Sequence, residues 1–138
     1  MNRVVHVGKL AAVVGGAAWT IKSLVIIAMN GHFQPLEGVL YFLGVGGILI
    51  GSFGLAGFVA MRWTDMRRWV AFVATLVMSV VVTSTASSFI QNWVADAYAG
   101  SNVGIEEEIG ILTPGVIWLG VGVFLLIATS SGLRSVDV

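Results

Sequence analysis

Four long apolar runs, at 10–29, 38–61, 69–95 and 114–133, leave this chain few ways to fold. Each matches the ~20 helical residues needed to cross roughly 30 Å of hydrocarbon. In lipid the backbone must satisfy its own hydrogen bonds, which leaves helices or a closed barrel. None of the runs alternates apolar and polar residues as a barrel strand does. The expected fold is therefore all-α: one membrane domain over 1–138, a bundle of four transmembrane helices. Charge content agrees, since only 10% of residues are charged and mean hydropathy is +0.96, too little polarity for a soluble surface.

The start of the fourth span is set by Thr113 and Pro114. Proline lacks an N–H that would go unpaired at the first helical position anyway, so this pair predicts a helix N-terminus. The segment IEEEIGIL before it is then a short interfacial turn or helix, and 96–113 forms an outer loop. A continuous helix from Ile105, kinked at Pro114, is the competing reading.

Charges orient the bundle. Arg3, Lys9, Arg62, Arg67, Arg68 and Arg134 fall at one side, while Glu37, Asp96 and Glu106 to Glu108 fall at the other. Basic connections stay inside, so both termini are expected in the cytoplasm, with Trp63, Trp69, Trp93 and Tyr98 near the interfaces. Arg3 and Lys9 before LAAVVGGAAW imitate a signal peptide, but the apolar stretch resumes after Lys22 and runs to Met29, beyond a typical h-region. Arginine outnumbers lysine and Gly, Ala and Val abound, a pattern associated with GC-rich bacterial genomes, so the expected location is a bacterial inner membrane.

Helix association in lipid depends on close backbone approach between small residues. Gly44, Gly47, Gly51 and Gly54 share a face of the second span, and Gly15 and Ala18 continue a similar face of the first from Gly8 and Ala11. These faces predict packing within the bundle or between subunits. The third span carries Thr75, Ser79, Thr83, Ser87 and Gln91 at intervals of four, a polar stripe that serves either as small packing residues or as the wall of a hydrated or ligand-lined cavity.

Lys22 continues the small-residue face of the first span. A lysine at mid-span costs about 2.5–3.5 kcal/mol on insertion scales, and such residues are functional candidates by default. Its stem leans toward the helix N-terminus, away from the nearer membrane surface, so snorkelling gives little relief. Loss of its proton, pairing with a carboxylate, or water in an outward-facing vestibule would each relieve it. Glu37 is the carboxylate nearest in sequence, with the Glu106 to Glu108 cluster as the other source. The pattern predicts a polar path or binding cavity lined by Lys22, Glu37 and the stripe of the third span.

Other chemistries lack their residues. The chain has no cysteine, so disulfides, thiol catalysis and thiolate-bound metals are excluded. His6 and His32 fall on opposite sides of the membrane and cannot share a metal within one subunit. Neither a phosphate loop nor a dinucleotide fingerprint occurs, and zero formal charge gives nucleic acid no electrostatic hold. The expectation is a protein without enzymatic activity, cofactor or metal, surrounded by lipid and assembling with itself — a transporter, channel or binding protein for a small solute or ion. The alternative is an accessory subunit of a larger membrane complex.

Overall fold

A computed structural model describes residues 1–29, 36–97 and 105–131. His32, Tyr98, Arg134 and the side chain of Glu106 lie outside the described residues, as do 98–104 of the outer loop expected over 96–113, whose other residues are helical and belong to the third and fourth helices. The chain forms α1 (Asn2–Ala28), α2 (Glu37–Ala60), α3 (Asp65–Ala97) and α4 (Ile105–Ser131). All four helices are long and apolar enough to cross a membrane, with mean hydropathies of 1.9, 2.0, 1.9 and 2.3 over their most apolar windows. α1 and α3 extend beyond their apolar runs because hydrocarbon thickness limits the apolar length of a helix, not its hydrogen-bonded length.

The helix start expected at Pro114 is corrected. α4 begins nine residues earlier and runs through the proline, which lies inside it. Proline in a helix interior leaves the carbonyl four residues earlier without a donor, and here that carbonyl belongs to Gly110. The Ser87 hydroxyl of α3 donates to Gly110 O, so a neighbouring helix supplies the missing bond.

α1 packs between α2 and α4, and α3 completes the ring against α2 and α4, without close backbone approach to α1 among the described residues. Glycine fixes the closest approaches. A β-carbon on Gly15 would lie 2.6 Å from Gly47 Cα, and one on Gly54 would lie 2.5 Å from Gly8 Cα, so no larger residue fits these α1–α2 crossings. Gly51 meets Ala12, and Gly44 lies against the Trp19 indole. The other side of α1 meets α4 as closely: a β-carbon on Gly115 would be 2.9 Å from Thr20 N, and Gly16 lies against Leu119. Ala18 is buried on the same helix.

α3 is different, because Val94 is its only buried residue among those described. It touches the bundle through separate contacts, including Phe72 beside Phe53. Outward faces carry large apolar side chains such as Phe42, Val81 and Phe89, as lipid exposure would require. The connection from α2 to α3 ends at Asp65, which adopts φ 53°, a left-handed conformation that Asp tolerates better than most residues.

Candidate functional site

Two polar features occupy neighbouring levels of the bundle. The first, at the end of the bundle where α2 and α4 begin, is an ion cluster joining three helices. Lys22 of α1 is only 2% exposed, and its ammonium donates to both oxygens of Glu108 at 3.0 Å. Glu37 Oε1 lies 3.5 Å from the same nitrogen. Glu108 is 13% exposed and Glu37 43%, so the short contact is also the better shielded. Glu37 opens α2 and Glu108 lies near the start of α4, where unpaired N–H groups favour negative charge. With one lysine and two carboxylates, the cluster ties α1 to α2 and α4 and has a formal surplus of one negative charge.

One turn inward, Trp19 stacks on Tyr41 and donates from Nε1 to Tyr41 O at 2.9 Å. Trp19 also forms part of the wall of the second feature, a cavity of about 350 Å³ between α2, α3 and α4. Ser52, Ser79, Thr83, Ser84 and Ser87 supply its hydroxyls, while residues such as Ile48, Leu49, Val80 and Ile111 make most of the wall apolar. Gly110 and Pro114 form the α4 side, and Trp118 closes the floor at 1% exposure.

The hydroxyls differ in what they do. Ser52 donates to Ile48 O at 2.8 Å, Ser79 to Leu76 O at 2.8 Å, and Ser87 to Gly110 O. Thr83 instead accepts from Trp118 Nε1 at 3.2 Å. At the ends of the stripe, Thr75 donates to Ala71 O at 2.7 Å and Gln91 lies against Gly110, where a β-carbon would meet its Oε1 at 3.0 Å.

Lys22 and Glu37 therefore meet each other, and Ser79, Thr83 and Ser87 meet in the cavity, but these two groups do not form one continuous lining among the described residues. Glu108, the main partner of Lys22, comes from the acidic cluster that the sequence offers as its second carboxylate source, whereas Trp19, Ser52, Gly110 and Trp118 as cavity walls were not singled out from the sequence. A register between α1 and α4 built on their small residues, Gly16 and Gly115 among them, would have brought Glu108 to Lys22.

Arg3, Lys9, Arg62, Arg67 and Arg68 belong to the opposite end, where Lys9 donates to Thr129 Oγ1 at 2.9 Å and Arg62 lies 5.3 Å from the centre of the Phe58 ring. Among the described residues no group of three or more His, Asp or Glu is placed to hold a metal ion. Comparison with known proteins gives no match to a family model, a curated protein or a solved structure.

Proposed function

We propose that this is a non-enzymatic, multi-pass protein of the bacterial inner membrane that holds a small molecule in the cavity between α2, α3 and α4. The observation that carries the reading is the cavity: about 350 Å³ of space within the apolar length of the bundle, with hydroxyls on an otherwise apolar wall. Small-molecule sites commonly combine these properties. Lys22 favours binding over conduction, because its ammonium is held by Glu108 and Glu37 and is not part of the cavity wall. Basic residues at one end and acidic residues at the other support cytoplasmic termini.

Native mass spectrometry of the protein released from lipid nanodiscs tests this reading. A retained small molecule that is lost in Ser84→Trp, with assembly unchanged, supports it. A wild-type protein carrying only bulk lipid, indistinguishable from Ser84→Trp, sinks it.

Assembly into a homo-oligomer, or docking as an accessory subunit, has separate support. Thr85, Ser88 and Asn92 are exposed on one face of α3, where lipid offers polar side chains no partners. Copies of this chain alone in the same spectrum favour the homo-oligomer, whereas a second polypeptide favours the accessory subunit.

A further inference from the structure

We propose that the cavity takes a neutral, lipid-soluble carbonyl compound of the quinone type, which enters sideways from the bilayer between α2 and α3. This rests on the binding reading above and narrows it to a ligand class.

The direction of the hydroxyl protons selects the class. Ser52, Ser79 and Ser87 have each donated to a backbone carbonyl. Thr83 and the adjacent Ser84 donate to no protein acceptor among the described residues, although both line the cavity. Thr83 already accepts from the buried Trp118 indole, and a hydroxyl that accepts a hydrogen bond becomes a stronger donor. The cavity therefore presents two neighbouring O–H donors, which a ligand carbonyl oxygen satisfies. No charged side chain lies among the described wall residues, and an ionised ligand would lose its hydration without compensation. The remaining wall, with the Trp19 and Trp118 indoles and aliphatic side chains, suits a flat ring and the start of an apolar tail.

The route follows from the rim. Leu49 of α2 and Val80 of α3 both line the cavity and are each 56% exposed, in contrast to the buried Trp118 floor. The mouth thus opens on the lateral apolar surface. α3 is the wall best able to yield, since α1 is locked to α2 and α4 through glycine contacts while α3 buries only Val94 among the described residues.

The test uses the full chain in nanodiscs, with thermal unfolding followed during titration by decyl-benzoquinone, decylbenzene and decyl phosphate. The expected result is saturable stabilisation by the quinone, with decylbenzene weaker and decyl phosphate without effect. Loss of one neutral hydrogen bond, worth about 1 kcal/mol, predicts that Thr83→Val weakens quinone binding about fivefold while Thr83→Ser retains it. Ser84→Ala gives the same readout at the second donor and serves if Thr83→Val does not fold. Equal binding of quinone and decylbenzene, insensitive to both substitutions, would overturn the carbonyl assignment and leave a binding cavity. Tighter binding of decyl phosphate, blocked by Ser84→Trp, would overturn neutrality. Failure of all three probes overturns the ligand class alone if a co-purified molecule is still lost in Ser84→Trp, and overturns the binding reading as well if no such molecule exists.

Discussion

The Ser87 hydroxyl donates to the Gly110 carbonyl, the acceptor that Pro114 leaves without an intrahelical donor. One side chain of the polar stripe on α3 thus repairs a defect in α4 and closes the cavity wall at the same place. Gly110 has no side chain to keep α3 away, so Gln91 approaches it as well.

Ser87→Ala should destabilise the bundle by about 0.6 kcal/mol, the average for hydrogen bonds between membrane helices, and by no more than about 1.7 kcal/mol, the largest of them. Pro114→Ala restores an N–H for Gly110, so Ser87→Ala should cost less in that background. A double-mutant cycle of unfolding in mild detergent measures the coupling. Strictly additive costs would mean that Ser87 does not compensate for the proline.

Lys22→Met should leave Glu108 shielded without its cation and cost about 3–5 kcal/mol, as breaking buried pairs does. Lys22→Met combined with Glu108→Gln should recover much of that loss, because no buried charge is left unpaired. Glu37→Gln should cost less than Glu108→Gln, since its contact is longer and more exposed. Unfolding midpoints of these variants establish the order, and a larger loss from Glu37→Gln would reverse the assignment of the main partner.

Gly47→Ala should destabilise by about 1–3 kcal/mol, the usual cost of overpacking, because its β-carbon would enter the backbone of α1. Gly46 has nothing within 4 Å at the corresponding position among the described residues. Gly46→Ala should therefore be neutral or stabilise by about 0.5–1 kcal/mol through helix propensity. Opposite signs for adjacent glycines are readable in one unfolding series.

Asp65→Gly should stabilise the α2–α3 connection by up to about 1 kcal/mol, because glycine adopts the left-handed conformation without steric cost. Asp65→Val should lose about 1–2 kcal/mol at the same position. Thermal unfolding of the two variants against wild type gives the comparison.

Hydrophobic length makes the four helices legible in the sequence, because runs of this kind have few alternatives to spanning. Pro114 is harder, since its helical context depends on Ser87, a residue on another helix. With a helix starting at 114, Glu108 falls in a loop; with α4 starting at Ile105, it lies opposite Lys22. The stripe on α3 is visible as a period of four, but each such step drifts about 40° around a helix of 3.6 residues per turn. Its members consequently reach different surroundings: Thr75 bonds its own backbone, Thr83 meets Trp118, and Ser87 meets Gly110. A cavity between helices depends on several such placements at once, and no local pattern encodes it.

The pairing of Lys22 with Glu108 also orders events at the ribosome. The lysine is synthesised 86 residues before its main partner, and a lysine at the centre of a membrane span costs about 2.5–3.5 kcal/mol until it is paired. Glu37 arrives early and gives provisional relief through the longer contact. Only when α4 emerges can the first helix settle between its neighbours. A chain that stops before α4 leaves this lysine with the longer and more exposed Glu37 contact alone, and leaves α1 with one of its two packing faces uncovered.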